Sequence, residues 1–354
     1  MRTDLLRFAE CVLLNADAPI ITFPPRPAAP NKDASLTLSP PPPHEHGSYK
    51  YVQTPLPLLF PVWRSVAGRA AKLSASCPEF IFFSISVHSS RAEAHHYKLG
   101  QGAPRPNITN PECAILLVLR TMPDDAEDGP ELIRKSQENE EMYARSGWNV
   151  LSAHQKLPAI LARRASRLPK LLPSLFFPHT KTVLYSDMKL LSALARNEAS
   201  SLASKLLQGT QFGIVQHQAA SDFSAERDLI LRTVPARPLI LDSVELLNSQ
   251  VLLLDSTLSS YHRQAFGVDG ELHARVLRND SNSNLLNKVW FEEYMNGCDR
   301  DQLAFYGAAA RMDMHRETQF PCSVFNRSGI YRSSLHKEFT FAIHCHLDDV
   351  VVKW

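Results

Sequence analysis

The sequence predicts an α/β protein with a mostly parallel sheet and helices on both of its faces. Several short runs rich in β-branched, aliphatic and aromatic residues have the length of buried strands. Segments of helical composition separate these runs along the chain. Strands and helices that alternate in this order form βαβ units, in which helices cover both sides of the parallel strands.

The first part of this pattern contains four strand candidates and two helical segments. The strand candidates are residues 79–87, 113–121, 148–151 and 181–187. An acidic helical segment, residues 124–144, precedes the third strand and stops before Gly147. A basic amphipathic segment punctuated by four prolines, residues 157–178, precedes the fourth strand. These lengths fit strands joined by crossover connections.

The second part of the pattern has fewer strands and longer helices. The strand candidates are residues 211–218 and 271–280, and the helix candidates are residues 192–209, 222–231, 244–266, 285–297 and 299–312. The last helix has Asp299 at a position suited to an N-cap. The apolar tail from Phe320 to Trp354 is expected to add further strands.

Proline content separates an N-terminal region from the rest of the chain. Twelve of the 25 prolines lie between Pro19 and Pro61. Because proline lacks a backbone donor, residues 1–77 are predicted to be a disordered, polyproline-like region. Residues 78–325 are predicted to form one folded domain, and residues 326–354 a C-terminal extension that packs on it.

Charge and hydropathy argue against nucleic acid and membrane as partners. The formal net charge is +2 with both signs mixed along the chain, whereas either partner needs a concentrated basic face. The sequence has no run of about 18 apolar residues, so no membrane span is expected. The apolar patch in residues 1–19 is interrupted by Glu10 and is too weak for a signal peptide or an anchor.

The six cysteines are scattered and contain no C-x-x-C pair, which argues against a zinc ribbon or a redox motif. Buried thiols are one interpretation. One or two disulfides are the other, if the chain enters an oxidising compartment. The spacing assigns no pair.

A basic cluster lies just ahead of the fourth strand, and an acid follows the strand. The residues concerned are Arg163, Arg164, Arg167 and Lys170 before the strand, and Asp187 and Lys189 after it. An open parallel sheet binds ligands at the carboxyl ends of its strands. Guanidinium and ammonium groups suit a diphosphate, and a carboxylate suits a ribose or a metal ion. A solvated basic helix beside a strand-end acid is the alternative interpretation.

Carboxylates also gather around the start of the last predicted helix. Asp299, Asp301 and Gln302 begin this helix, and Glu293 precedes it. A helix N-terminus stabilises a charged carboxylate, which suits a general base or a group that binds a sugar hydroxyl. Helix capping is the alternative explanation. His217 closes a predicted strand at the same edge and is a further candidate for a ligand contact.

Six short segments share their order and spacing with one known family. They are RLPKLLPSLFFP (167–178), YSDMKLL (185–191), GIVQH (213–217), RVLRND (275–280), NLLNKVWFEE (284–293) and RDQLAF (300–305). In this order they resemble the plant-centred glycosyltransferase-like family that includes a turgor-regulating protein and a mucilage-related protein. The resemblance covers residues 78–325 and is strongest over residues 163–305.

The resemblance implies a GT-A-like nucleotide-diphospho-sugar transferase fold, with a Rossmann-like sheet that binds the donor. The residues then expected at the nucleotide-sugar donor are Arg163, Arg164, Arg167, Lys170, Asp187, Lys189, His217 and Arg278. Asp187 takes the place of a D-x-D metal motif, but Lys189 stands where the second acid would be. Binding of Mn²⁺ or Mg²⁺ is therefore an open expectation. Asp301, with Gln302 and Glu293, would orient the sugar or accept a proton from the acceptor.

Three functions follow from these observations. The first is transfer of a sugar from a nucleotide-sugar donor to a polysaccharide or glycoprotein acceptor. The second is hydrolysis of a lipid amide, because one relative in the resembling family is described as an alkaline ceramidase; such chemistry uses three metal ligands whose spacing the sequence lacks. The third is a non-catalytic protein that keeps the fold. The resemblance also implies the Golgi lumen as the location. Because the sequence shows no signal or anchor, a cytoplasmic protein or an incomplete chain is the alternative expectation.

Overall fold

The fold is known from a computed structural model of the chain. It describes residues 56–88, 104–121, 129–155, 157, 159–216, 227, 228, 230–232, 251, 268–277, 281–297, 300–311, 330–335 and 339–344. Most of the predicted helix 244–266 and part of the predicted helix 222–231 lie outside these residues. Residues 227, 228 and 230–232 are helical.

The helices and strands follow the alternation that the sequence predicts. The helices are α1 Leu56–Ser76, α2 Gly129–Arg145, α3 Ala159–Leu171, α4 Leu191–Leu194, α5 Ala199–Leu207, α6 Ser281–Asn296 and α7 Asp301–Arg311. The strands are β1 Phe80–His88, β2 Ala114–Arg120, β3 Asn149–His154, β4 Thr182–Ser186, β5 Phe212–Gln216, β6 Val268–Val276, β7 Ile330–Leu335 and β8 Phe339–His344. Short 3₁₀ turns occupy Pro111–Cys113, Pro173–Leu175 and Met188–Leu190.

Within the described residues the strands form one sheet in the order β3-β2-β1-β4-β6-β5-β8-β7. The strands β3, β2, β1 and β4 are parallel to one another, and β8 is parallel to β5. Strand β6 runs antiparallel to both of its neighbours, and β7 runs antiparallel to β8. The predicted α/β class with a mostly parallel sheet is confirmed.

The order of the parallel strands creates a topological switch point. From β1 the chain moves outward to β2 and β3, and it then returns to the other side of β1 to form β4. The strand that follows β1 in the chain, β2, lies on one side of β1 in the strand order. The strand that follows β4, β5, lies in the opposite direction along the sheet. A crevice opens at such a point, and open α/β sheets bind their ligands there.

Helices cover the sheet on both faces, so that the core lies in two layers. One face carries α1, α3, α6 and α7, with the indole of Trp63 donating to the Ala165 carbonyl over 2.7 Å and Trp290 packing on Phe305. The other face carries α2 and α5, where Phe82 packs on Trp148. These side chains are almost fully buried, and they hold the helices in fixed positions over the strands.

The structure differs from the prediction in the last part of residues 1–77, which was predicted to be disordered. Helix α1 occupies Leu56–Ser76, and its apolar residues Val62, Trp63, Val66 and Ala67 are buried. These residues recur at helical spacing on one face, which packs on the sheet and on α3. The helical spacing follows directly on a proline-dense stretch, whose composition favours an extended region. Residues 1–55 lie outside the described residues.

Two smaller differences concern the second half of the chain. The predicted helix 192–209 is divided into α4 and α5, and Glu198 caps α5 by accepting from the Ser201 backbone N–H over 2.6 Å. Strand β6 begins at Val268, three residues before the predicted start, so Gly270 lies inside the sheet. The tail contributes β7 and β8, as predicted, and β8 pairs directly with β5.

A disulfide joins Cys77 to Cys113, with 5.7 Å between their Cα atoms. Cys77 follows α1, and Cys113 immediately precedes β2. The bond therefore ties the first described helix to the start of β2. Of the two interpretations left open by the sequence, the structure assigns the disulfide to this pair.

Candidate functional site

The candidate site lies at the carboxyl end of β4, beside the topological switch point between β1 and β4. Asp187 is the first residue after β4, and its backbone N–H donates to the carbonyl of Glu271 in β6 over 2.8 Å. Because β6 runs antiparallel to β4, the start of β6 meets the end of β4 at this edge. The register places Asp187 directly opposite Glu271, so that the two side chains lie on the same face.

Two partners hold these opposed carboxylates. The hydroxyl of Tyr185 donates to Oδ1 of Asp187. The ammonium of Lys189, in the 3₁₀ turn after Asp187, forms an ion pair with Glu271. The Lys189 side chain is 55% exposed and the Glu271 side chain 13%. The carboxylates therefore lie at the border between the protein interior and the solvent.

A second group of charges lies deeper, between α3 and the start of α7. Lys170 forms an ion pair with Asp301, and the two side chains are only 2% and 6% exposed. Arg167, one turn earlier on α3, has its Nε 3.8 Å from Oδ1 of the same carboxylate. Residues three apart on a helix share a face, so α3 presents both cations to Asp301.

The two groups form one connected cluster. The ammonium of Lys170 lies 5.0 Å from the ring centroid of Tyr185, whose hydroxyl binds Asp187. The charges of Asp301 and Asp187 together raise the pKa of Arg167 despite its burial, so the guanidinium senses both acids. The acids that follow β4 and begin α7 thus converge on one place, although they are distant in sequence.

The charges of this cluster set its protonation states. Burial alone would raise the pKa of Asp301, but the neighbouring charges of Lys170 and Arg167 outweigh burial and hold that pKa well below its usual range. Burial raises the pKa of Glu271, and the charge of Asp187 raises it further, while Lys189 acts in the opposite direction. Asp301 is therefore a firmly ionised group, whereas Glu271 is a more basic carboxylate.

Most charges of this cluster already have partners: Asp301 is paired with Lys170 and Arg167, Glu271 is paired with Lys189, and Arg300 adds positive charge near Asp301. An anionic ligand would have to draw cations away from their present partners. Lys189 is the most exposed of the three cations, and it can turn toward a ligand with the least rearrangement.

Buried aromatic rings and hydrogen bonds support the charged cluster on the side of the protein core. The guanidinium of Arg275 lies 5.0 Å from the Trp290 ring centroid and donates to the Leu171 carbonyl over 3.1 Å. His273 lies against Tyr185 and Arg275, and burial followed by the charge of Arg275 lowers its pKa well below the ordinary value. His273 is therefore neutral, and this layer fixes the position of Tyr185.

The start of α7 is held in place by its backbone as well as by the Asp301 side chain. The indole N–H of Trp290 in α6 donates to the Asp301 carbonyl over 2.7 Å. The carboxylate lies at the helix N-terminus, where the helix dipole favours negative charge. Gly270 of β6 lies beside the ion pair, since a Cβ at this position would be 3.0 Å from the Lys170 ammonium.

Three residues expected at the site have other surroundings. Arg164 is buried and donates to the Gly297 carbonyl over 2.9 Å, which caps the end of α6. Glu293 is buried between α6 and α7, and its carboxylate lies against Gly307. The side-chain oxygen of Gln302 accepts from Arg300 over 2.8 Å. The contacts given for Arg164 and Glu293 are with α6 and α7 and not with the charged cluster, whereas the Arg300 partner of Gln302 adds positive charge near Asp301.

The remaining expected residues are only partly described. Arg163 lies on α3, and its side chain is outside the described residues. His217 and Arg278 are outside them altogether, directly after β5 and shortly after β6. Their assignment to the donor stays a prediction.

Sequence reasoning missed Tyr185, Gly270 and Glu271. Tyr185 was counted as part of a buried strand, and Glu271 as the start of one. The alternation of β4 places Tyr185 and Asp187 on the same face, and this signal was available from the strand period of two. The partnership of Glu271 with Asp187 depends on the register between β4 and β6, which the sequence does not reveal.

No helix among the described residues is long and apolar enough to cross a membrane. In the same residues, no group of three or more His, Cys, Asp or Glu side chains is placed to hold a metal ion.

Comparisons with known proteins place the chain in a wider context. The model of the TOD1/MUCI70 glycosyltransferase-like domain matches residues 122–339, which is more than half of the chain. No curated protein matches the sequence. The chain is similar to the crystal structure of mouse xyloside xylosyltransferase 1 in its apo form, with 8% identity, coverage of 66% of this chain and 83% of that chain, and a TM-score of 0.34.

Proposed function

Because the chain belongs to the TOD1/MUCI70 glycosyltransferase-like family, we propose that it transfers a sugar from a nucleotide-sugar donor to a glycan acceptor. The donor class and the acceptor class are both part of this proposal. The observation that supports it is the charged cluster around Asp187 and Asp301, at the edge of the sheet where the strand order reverses.

In this proposal the donor diphosphate binds to Lys189, Arg167 and Lys170. These cations lie within one cluster, and Lys189 reaches the solvent. A diphosphate leaving group gains negative charge as the glycosidic bond breaks, and fixed cations stabilise that charge. Asp187 would accept hydrogen bonds from the donor ribose, because its carboxylate is only half-buried and lies near the solvent.

The low pKa of Asp301 argues against a role as a general base. A general base works best when its pKa is near the working pH, whereas the pKa of Asp301 is held far below its usual range. A carboxylate paired with two cations is a poor proton acceptor. We therefore assign to Asp301 the positioning of Lys170 and Arg167 rather than proton transfer.

A divalent cation would be expected where related sugar transferases carry two acids. The residues present do not fit this ion well, since Oδ1 of Asp187 accepts from Tyr185 and Glu271 is paired with Lys189. No step of the proposed reaction is therefore routed through a metal. No observation among the described residues favours hydrolysis of a lipid amide.

The test is binding of UDP and GDP, measured by titration calorimetry with and without Mn²⁺. Wild type is expected to bind one of the two nucleotides, and Lys170→Met and Asp187→Asn are expected to weaken binding at least ten-fold, roughly the loss of one charge-assisted contact. Lys181→Ala is the matched control, because Lys181 lies at the other end of β4 and is exposed. If wild type binds neither nucleotide under either condition, the proposal fails.

A turnover assay separates the catalytic from the non-catalytic possibility. Hydrolysis or transfer of UDP- and GDP-sugars would be followed by release of the free nucleoside diphosphate. Release that Asp187→Asn abolishes and Lys181→Ala preserves supports an active transferase. Tight binding without release from any donor would identify a non-catalytic member that keeps the site.

We further propose that the protein folds in the secretory pathway, with the Golgi lumen as its place of action. The supporting observation is the Cys77–Cys113 disulfide, because such bonds persist in oxidising compartments. Thiol labelling followed by mass spectrometry of protein taken from its own cells should find both cysteines oxidised. Two free thiols would contradict the proposal.

A further inference from the structure

We propose that the ammonium of Lys189 takes the place of a divalent cation between Asp187 and Glu271, so that the chain binds its nucleoside diphosphate without a metal ion. The statement about the diphosphate rests on the proposed function. The statement about the cation position rests on the geometry of the described residues alone, and it can be tested separately.

The carboxylates of Asp187 and Glu271 are placed so that one cation could lie near both. Asp187 and Glu271 are opposite each other across the β4–β6 pair, and the Asp187 N–H bonds to the Glu271 carbonyl over 2.8 Å. Opposed residues of an antiparallel pair hold their side chains on one face, about 5 Å apart at Cβ. Like charges at this spacing destabilise the sheet unless a cation lies near them.

Lys189 supplies that cation from the adjacent turn. Asp187 leaves β4 in an extended conformation, and the 3₁₀ turn Met188–Leu190 brings the Lys189 side chain back to Glu271. The carboxylate of Glu271 is largely buried and that of Asp187 half-buried, whereas Lys189 is 55% exposed. The ammonium thus faces the Glu271 carboxylate on one side and the solvent on the other, and Asp187 lies across the strand pair from Glu271.

A divalent ion would compete poorly for this position. The ammonium already neutralises part of the charge that would attract the ion, and its own positive charge repels the ion at close range. Oδ1 of Asp187 is in addition engaged by the Tyr185 hydroxyl. Mg²⁺ and Mn²⁺ need several oxygen ligands in fixed geometry, and these two side chains supply only part of such a set.

The same ammonium suits a diphosphate. It has three N–H donors, and it lies on the solvent side of the cluster that contains Arg167 and Lys170. A phosphate oxygen that approaches from solvent would meet Lys189 first. The cation that is paired with Glu271 would then also bind the ligand, which is the role that a metal ion plays in a metal-dependent donor site.

The first experiment measures binding of Mn²⁺ alone, by titration calorimetry and by the loss of its free electron paramagnetic resonance signal. Wild type and Lys189→Arg, which keeps the charge, are expected to show no stoichiometric site. Lys189→Asp adds a third carboxylate and is expected to bind one Mn²⁺ at least ten-fold more tightly, with the gain removed by Asp187→Asn in the same chain; more carboxylate ligands mean higher affinity, by about this order.

Two outcomes would overturn the inference. One is a stoichiometric Mn²⁺ site in wild type that Asp187→Asn abolishes. The other is a Lys189→Asp protein with the circular dichroism spectrum and melting temperature of wild type that gains no Mn²⁺ affinity. If Lys189→Asp does not fold, Lys189→Ala decides the matter, because removal of the ammonium alone should raise Mn²⁺ affinity above that of wild type, and an unchanged affinity counts against the inference.

The second experiment measures UDP and GDP affinity in EDTA and in Mn²⁺. The expected result is the same affinity for wild type in both, and a Mn²⁺-dependent gain for Lys189→Asp. Nucleotide binding by wild type that EDTA abolishes would overturn the inference while leaving the proposed function intact. Absence of nucleotide binding in both conditions would remove the proposed function, and the Mn²⁺ titration would still decide what occupies the cation position.

Discussion

Lys170 and Asp301, which are 131 positions apart in the chain, form a buried ion pair that ties the end of α3 to the first residue of α7. Arg167 adds a second cation to the same carboxylate. The pair connects the basic segment ahead of β4 with the acidic start of the last described helix. The candidate site exists because the end of α3 and the start of α7, which packs on β6, meet at this ion pair.

We expect Asp301→Asn to destabilise the protein strongly. The substitution leaves two buried cations without their carboxylate, and breaking a buried pair on one side typically costs about 3–5 kcal/mol. Urea unfolding at pH 7 measures this loss. In the double variant Asp301→Asn with Lys170→Met, the loss should be smaller than the sum of the single losses, because one stranded charge is removed as well. Additive losses would show that the two groups do not interact.

The low pKa of Asp301 also predicts how the stabilisation by this carboxylate changes with pH. The folded-state pKa of Asp301 lies below its unfolded value of 3.8, so the stabilisation is complete well above that value and is lost as the pH falls below it. The stability difference between wild type and Asp301→Asn should therefore be constant from pH 7 to pH 5 and should shrink toward pH 2. A difference that grows as the pH falls would contradict this assignment.

Burial of His88, at the carboxyl end of β1, predicts a second pH dependence of the free energy of unfolding. Burial, assisted by the charge of Arg120, lowers its pKa to about 4, and its Nδ1 is 2.5 Å from the Ser136 hydroxyl. The folded protein therefore resists protonation that the unfolded chain accepts below pH 6.5. Stability should fall between pH 6.5 and pH 4, by up to about 3 kcal/mol at 1.36 kcal/mol per pKa unit.

His88→Asn keeps a polar group near Ser136 and removes the titration. Its free energy of unfolding should start below that of wild type at pH 7 and should decline less steeply toward pH 4. Urea unfolding at three pH values gives the two slopes. Parallel curves would mean that His88 has an ordinary pKa in the folded protein.

Removal of the disulfide should also lower stability. The Cys77–Cys113 bond spans 36 positions, and constraint of a loop of this length in the unfolded chain is worth roughly 4 kcal/mol. The double substitution Cys77→Ala with Cys113→Ala should reduce the free energy of unfolding by about 2–4 kcal/mol. Dithiothreitol should destabilise wild type by a similar amount and leave the double variant unchanged. A wild type that is indifferent to dithiothreitol would show that the bond is not formed.

A pair of glycine substitutions tests the packing of α5 on the sheet. A Cβ at Gly213 of β5 would lie 2.1 Å from the Leu206 carbonyl oxygen of α5, which is backbone and cannot move aside. Gly213→Ala should therefore destabilise the protein by about 1–3 kcal/mol or more. Gly68 of α1 is the matched control, since nothing lies within 4 Å of its added Cβ. Gly68→Ala should be neutral or stabilising by up to about 1 kcal/mol, and equal effects at both sites would refute the packing argument.

The family model matches the chain from residue 122 onward, whereas the first strand of the sheet, β1, begins at Phe80. Strand β1 lies between β2 and β4, so its carboxyl end lies at the topological switch point. The disulfide joins the residue after α1 to the residue before β2. The folded unit that carries the site therefore includes residues ahead of the family match.

The sequence alone was sufficient for the elements whose signal is local. Buried strands such as β1 and β2 are continuous apolar runs, and β4 could be placed because an apolar run ends in an acid at Asp187. Helix α7 was visible from an acidic start followed by an alanine-rich segment. Each of these patterns is complete within about ten residues, because side-chain periodicity reflects the geometry of a single element.

The contacts that make the site could be read only from the folded chain. Which of four neighbouring cations faces Asp301, and which caps α6 instead, depends on how α3 is rotated over the sheet. That Glu271 opposes Asp187 depends on the β4–β6 register, and a shift of one residue would reverse its face. Ion pairs act over a few ångströms between groups that are distant in sequence, so their partners are settled by packing and register rather than by local pattern.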